Sequence, residues 1–193
     1  MKKTIIFITH DLDEALKIGD RIMIMKDGAV VQIGTPEDIL TNPENDYVEK
    51  FIEDVDRSKV FTAEHVMIRP ETVRLEKDGP RVAIQRMKDA GLSSIYVTKR
   101  NKELVGIVHA SEVSELIKSK GSSLESIIQT DVPRVSPETS LHDLLDTVST
   151  SPIPISVVED GKLKGIIVRG SVLGALSGNE VDFNGQHAAP AFS

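Results

Sequence analysis

An internal repeat constrains this chain more than any other feature. The stretch SIYVTKRNKELVGIVHASEVSELI (Ser94–Ile117) reads as a strand over Ile95–Val97, a polar turn over Lys99–Lys102, a second strand over Leu104–Val108, and a helix. About sixty residues later the plan returns as PISVVEDGKLKGIIVRGSVLGAL (Pro154–Leu176), Pro154 answering Ser94 and Gly165 answering Gly106, with a hairpin turn one residue shorter. An amphipathic helix precedes each copy, PRVAIQRMKDAG from Pro80 and SLHDLLDTVSTSP from Ser140, and a short apolar segment precedes each helix, ETVRL at Glu71 and VPRVS at Val132. Two β-α-β-β-α units set the architecture of everything after about residue 60. One unit alone buries too little; two packed sheet to sheet make a domain of mixed α/β (α+β) class.

Residues 2–9, KKTIIFIT, form an apolar, β-rich run bounded by charge, the pattern of a buried strand in a parallel sheet. Asp11 with Glu14 then forms a capping pair for a helix that Gly19 ends. Asp27-Gly28 between DRIMIM and AVVQIG signals a two-residue hairpin. Thr35-Pro36 starts a helix as N-cap and first-turn proline, and Asn42-Pro43 repeats the device for a helix carrying Tyr47, Val48, Phe51 and Ile52 on one face. The domain plan expected is 1–58, then repeats over 59–122 and 123–178, then a tail over 179–193.

The net charge of -7 is uneven: residues 1–58 carry 7 Lys and Arg against 13 Asp and Glu. That balance excludes a general nucleic-acid binder. No apolar run approaches a membrane span, and no signal peptide is visible. The absence of Cys fits a reducing compartment. His10, His65, His109, His142 and His187 lack ligand spacing, so no metal site is expected. Ser111 reads as a helix cap rather than a nucleophile. The stripe Leu141, Leu144, Leu145, Val148 is core spacing, while Val113, Leu116, Ile117 and Val172-Leu173 suit either core or an interface.

Two resemblances follow from these motifs. TIIFITHDLDEALKIGDRIMIMKDGAVVQIGTPEDIL (Thr4–Leu40) resembles the carboxyl end of an ABC-transporter ATPase domain, with His10 at the switch histidine. No G-x-x-x-x-G-K-[ST] loop and no LSGGQ-type signature occur in the 193 residues, so the chain is expected not to be an enzyme by itself. The repeat over about 63–178, with Val66-Met67 ahead of Pro70 and the strands GIVHASEV and GIIVRGSVL, resembles a tandem pair of CBS domains. The fusion is most similar to the ATPase subunit of glycine betaine/proline importers.

These resemblances imply ATP and Mg in an intact subunit, a transmembrane permease partner, a CBS-mediated homodimer, and a peripheral place on the cytoplasmic face of the membrane, this piece being soluble. They also imply a ligand cleft between the sheets. Many CBS domains hold a nucleotide through Gly-h-h-[Ser/Thr]-x-x-Asp; here the positions are His109 and Glu112 in the first copy and Val168 and Ser171 in the second. Ribose-clamped AMP or ATP is therefore disfavoured. Arg169 is read either as a solvated surface arginine or as the residue that meets the phosphate of cyclic di-AMP, beside Val168, Ile153, Ile155 and Val135, with no cofactor needed for folding. Lys99, Arg100 and Lys102 are read either as a solubilising hairpin tip or as an anion patch touching lipid headgroups, an ionic-strength sensor. The alternative function is an adenosine-nucleotide CBS module unrelated to transport; a free-standing enzyme has no site.

Overall fold

The computed structural model describes residues 3–177. The tail expected over 179–193, and His187 within it, lie outside the described residues. The expected strand over 2–9 does not form: Lys3 to Thr9 carry no strand, and Ile5, Ile6 and Ile8 are 84%, 86% and 91% exposed. A strand buried on both faces needs neighbours to take its backbone bonds, and the sheet nearest in sequence has only two strands, paired with each other.

Helix α1 (Leu12–Ile18) is capped by the Asp11 carboxylate, which accepts the Glu14 N–H at 3.1 Å. The pair is one-sided, because the Glu14 carboxylate accepts the Thr9 hydroxyl instead of the Asp11 N–H. Gly19 ends the helix by donating to Ala15 O. Strands β1 (Ile22–Lys26) and β2 (Ala29–Gly34) form the expected hairpin. Its turn holds Asp27 at φ 51° and Gly28 at φ 78°, the left-handed pair of a type I′ turn.

Helix α2 (Pro36–Thr41) opens with a reciprocal capping box. Thr35 Oγ1 accepts the Asp38 N–H at 3.1 Å, and the Asp38 carboxylate accepts the Thr35 N–H at 3.0 Å. The Thr35 bonds, backbone first, hold the Asp38 carboxyl below its ordinary value. The next helix starts later than Asn42-Pro43 suggests: α3 (Asp46–Phe51) is capped by Asn45, whose Oδ1 accepts from the N–H of Tyr47 and Val48. The Gln32 side chain explains the delay. It donates to Asn42 O and accepts from the Glu44 N–H, both at 2.9 Å, and so keeps residues 42–44 out of helix.

The repeats form two three-stranded sheets of identical topology. In the first, β3 (Thr72–Arg74) runs parallel to β4 (Ser94–Thr98), which is antiparallel to β5 (Leu104–His109). In the second, β6 (Arg134–Val135), β7 (Ile155–Glu159) and β8 (Lys162–Ile167) repeat that order. Each hairpin slips register at the equivalent place, after Val97 and after Val157. Helices α5 (Pro80–Asp89) and α6 (Ala110–Lys118) cover the first sheet. Helices α7 (Leu141–Thr150) and α8 (Arg169–Leu176) cover the second, where Leu141, Leu144 and Val148 are core as expected.

Each repeat lends its leading segment to the other sheet. Past the short helix α4 (Ala63–Val66), Ile68 exchanges both backbone bonds with Ile166 of β8, at 2.8 and 3.0 Å. In the same way Gln129 exchanges both with Ile107 of β5, at 2.9 and 3.0 Å. The glycines that mark the repeat sit where these segments cross. A Cβ on Gly106 would lie 2.3 Å from Gln129 O, and one on Gly165 would lie 2.6 Å from Met67 Sδ.

We expect Gly106→Ala to destabilise the chain by about 1–3 kcal/mol, the usual cost of forcing atoms into a packed site. Gly170→Ala, whose Cβ meets nothing within 4 Å, should be neutral or slightly stabilising. Urea unfolding of the two variants separates steric crossing from loss of chain flexibility.

Candidate functional site

The sheets meet through a buried cluster of Tyr96, Leu104, Ile107, Val132, Leu163 and Ile166. Strand alternation decides which side chains can face this interface. On β4, Ile95 and Val97 point to the core under α5 and α6, so Tyr96 points to the other repeat. On β7, Ile155 and Val157 point to the core under α7 and α8, so Ser156 takes the place equivalent to Tyr96.

The second-repeat residues singled out from sequence divide accordingly. Ile153 and Val168 are half-buried against the inter-repeat cluster. Ile155, 1% exposed, and Val135 belong to the core behind it and back the cleft rather than line it. Arg169 is the first residue of α8, and its guanidinium reaches the end of α7. Nε donates to Val148 O at 3.2 Å; Nη2 donates to Ser149 O at 2.9 Å and Ser151 O at 3.2 Å. Helix α7 has no basic residue in its last turn, so Arg169 supplies the positive charge its carbonyls favour. Three of the five guanidinium N–H donors make these bonds.

In the first repeat, the expected cap moves. Helix α6 begins at Ala110, whose N–H donates to Ser93 O at 2.9 Å, so His109 is the N-cap and Ser111 lies inside the first turn. His109 is half-buried, with Nε2 3.4 Å from Gln129 Oε1 of the crossing segment. Glu112 is exposed in the first turn, where its charge suits the helix dipole. A shallow depression of about 520 Å³ over α6 includes Glu112, Leu116 and Ile127 but not His109 or any of the second-repeat residues. His10 is exposed ahead of α1, remote in sequence from both repeats.

The cationic hairpin tip is mixed in charge. Lys99 Nζ lies 2.5 Å from Glu103 Oε1, and that bond, ahead of one from Asn101, holds the Glu103 carboxyl low. The Arg100 N–H donates to Glu76 Oε1 at 3.4 Å. Lys102, at φ 66°, turns its carbonyl to the Leu163 N–H at 2.9 Å, while the Leu104 N–H donates to Gly161 O at 2.9 Å. The two hairpins are thereby stitched together. Lys99 and Arg100 flank a depression of about 470 Å³ that also includes Glu76.

Sequence reasoning missed Tyr96. Its ring is 2% exposed, and its hydroxyl crosses the interface to donate to Pro154 O at 2.6 Å. Burial, opposed by the Ser156 hydroxyl and the Arg134 charge, pushes the phenol up to about 12. An aromatic at an alternate strand position looks like ordinary core; only the identity of its partner, a backbone carbonyl of the other repeat, sets it apart.

The CBS domain family model matches residues 63–119 and 124–178. Over 184 residues the chain is 69% identical to the glycine betaine/carnitine transport ATP-binding protein GbuA of Listeria monocytogenes, covering 95% of this chain and 46% of that protein. Over 185 residues it is 55% identical to the glycine betaine transport ATP-binding protein OpuAA of Bacillus subtilis, covering 95% of this chain and 44% of that one. The chain thus spans about half the length of these relatives. Among solved structures, Staphylococcus aureus OpuCA superposes with a TM-score of 0.52 at 25% identity, over 58% of this chain and 96% of that one.

Raising pH should expose the Tyr96 constraint. Its folded value lies above the ordinary value of 10, so the unfolded chain loses this proton first. Stability from this group is full below pH 10 and falls as pH rises towards 12. In Tyr47→Phe, where Tyr96 is the sole tyrosine, absorption should report phenolate with a midpoint near 12. A midpoint near 10 in folded protein would contradict the burial of the phenol.

Proposed function

The chain belongs to the CBS domain family, and from that premise we propose that it is the regulatory CBS pair and closing ATPase segment of the ATP-binding subunit of a glycine betaine/proline (quaternary amine) importer. One observation carries this reading: 69% identity to a transport ATP-binding protein runs across both the pair and the segment before it. The packing supports it. Leu16, Ile24, Ile39 and Val48 of the leading segment share one continuous buried cluster with Leu141, Ile167 and Val172 of the second repeat. The strand-like bridge Thr62–Ser140 and the bond from Leu141 N–H to Phe61 O at 2.8 Å tie the join. His65 Nε2 meets Glu37 Oε2 at 3.2 Å across it.

In this reading the intact subunit binds ATP and Mg, with His10 as its switch histidine, and works with a transmembrane permease on the cytoplasmic face of the membrane. The pair forms a homodimer and biases ATP turnover in response to a cyclic dinucleotide or to ionic strength. Cyclic di-AMP meets Arg169, Val168 and Ile153, with Ile155 and Val135 behind, while His109 and Glu112 line the equivalent first-repeat edge. Two guanidinium N–H donors outside the α7 bonds, on a permanently charged group beside aliphatic walls, support a phosphodiester flanked by purines. Lys99, Arg100 and Lys102 form the contact with anionic lipid, a role moderated by Glu76 and Glu103 beside them.

Calorimetric titration with cyclic di-AMP, AMP and ATP at fixed salt tests the ligand. Wild type should bind cyclic di-AMP, and Arg169→Ala should bind roughly ten- to a hundredfold more weakly, the worth of a charge-assisted contact of about 1.5–3 kcal/mol. Because Arg169 also holds the end of α7, melting must be followed in parallel. Unchanged affinity removes Arg169 from the site, and tight AMP binding with no cyclic di-AMP binding favours the adenosine-nucleotide module instead.

Light scattering at micromolar concentration should report a dimer of the purified chain, which should show no ATP turnover above a buffer blank. Hydrolysis abolished by His10→Ala would overturn the claim that the phosphate-handling machinery lies outside these residues.

A further inference from the structure

Two proline-led entries serve neighbouring strands of the second repeat. Val132-Pro133 leads into β6, and Ile153-Pro154 leads into β7. Proline has no N–H, so such an entry can be held at that residue only through its carbonyl. Both carbonyls are held by side-chain hydroxyls from equivalent positions of the two repeats. Tyr96 of β4 donates to Pro154 O at 2.6 Å; Ser156 of β7 donates to Pro133 O at 2.7 Å, where the Ser156 N–H also arrives at 3.0 Å. Tyr96 is 2% exposed and Ser156 is fully buried, so neither bond competes with water.

We infer that Tyr96 and Ser156 are positioning residues for the second-repeat cleft: they set the spacing of its two proline-led edges, and Tyr96 transmits the state of those edges to the first sheet. The inference rests on the proposal that this cleft holds the ligand. Ile153 lies one residue before the carbonyl that Tyr96 fixes, so a phenol anchored at Pro154 O limits how far the Ile153 wall can move. The same side chain sits in the middle strand of the first sheet, hydrogen-bonded to β3 on one side and β5 on the other. Widening of the cleft therefore either breaks the Tyr96–Pro154 bond or draws β4 with it. Ser156 holds the other edge, its hydroxyl donating to Pro133 O at the entry to β6.

Wild type, Tyr96→Phe, Ser156→Ala and Ala83→Gly are titrated with cyclic di-AMP by calorimetry, with melting midpoints measured on the same samples. Ala83→Gly is the control, lowering stability from the buried face of α5 away from the cleft. Tyr96→Phe keeps the ring and deletes only the hydroxyl. It should weaken binding about three- to tenfold, as loss of one neutral hydrogen bond allows, whereas Ala83→Gly should bind like wild type despite a lowered midpoint. In Tyr47→Phe, cyclic di-AMP at saturation should shift the absorption band of Tyr96, a response that a purely structural tyrosine would not give. Wild-type affinity in Tyr96→Phe and an unmoved Tyr96 band would overturn the positioning role and leave the ligand proposal intact. No binding by wild type would instead remove the ligand, and this inference with it.

Discussion

The exchange of leading segments between the repeats is the constraint on which the rest of the structure depends. Each sheet has three strands of its own, and each gains a backbone partner from the other copy at Ile68 or Gln129. A neutral backbone hydrogen bond contributes only about 0.5–1.5 kcal/mol, so the four bonds do not hold the domain by strength. They hold it by register. They fix Met67 over Gly165 and Gln129 over Gly106, and the two sheets then meet with Tyr96, Leu104, Ile107, Leu163 and Ile166 interlocked. Any side chain at either glycine would push the crossing strand outward and open the interface that contains the candidate cleft.

The same crossing explains why the leading segment packs on the second repeat. Residues 61–68 run along the second repeat, from the Leu141–Phe61 and Ala63–Thr139 bonds to the Ile68–Ile166 pair. What precedes them is delivered to α7 and α8, and the buried cluster continues through Phe61 into Ile39, Leu40 and Val48. A change in the tilt of α8 has a short path to α2, through Ala63, Val66 and the His65–Glu37 contact. The sheet of the first repeat and its helices α5 and α6 have a separate core and meet the second repeat at the inter-sheet cluster. Within one chain, the two repeats are therefore not equivalent in their packing against the leading segment, although their topology is the same.

Much of this fold was legible in the sequence because its signals are local. The Asp27-Gly28 turn, the Thr35-Pro36-Glu37-Asp38 cap and both repeat hairpins depend on residues within a few positions of one another. The failures share the opposite property. Lys3–Thr9 has the composition of a buried strand, but burial is conferred by neighbours and not by composition. The start of α3 was displaced by Gln32, ten and twelve residues away from the groups it binds. Ser111 looked like a cap because serine is good at capping, but the Ala110 N–H bond to Ser93 O accompanies a start two residues earlier, with His109 as N-cap. In the second repeat, Ile153 and Val168 fell against the inter-repeat cluster, while Ile155 and Val135 fell in the core behind it; Ile153 lies before β7 begins, so the alternation that sends Ile155 to the core does not extend to it.

Repetition of topology without repetition of chemistry is the last consequence. At equivalent positions the copies carry Tyr96 and Ser156, His109 and Val168, Ala110 and Arg169, Glu112 and Ser171. Packing across a pseudo-symmetric interface demands such differences: two tyrosines facing each other at Tyr96 and Ser156 would overfill the space, and two serines would leave a void. Once one side chain is large, its hydroxyl reaches only the far repeat, and the edge it reaches becomes the one held across the interface. The equivalent hydroxyl of the second repeat, on Ser156, turns instead to Pro133 O within its own repeat. Steric complementarity at the interface therefore suffices to hold the two edges of a duplicated domain by different bonds.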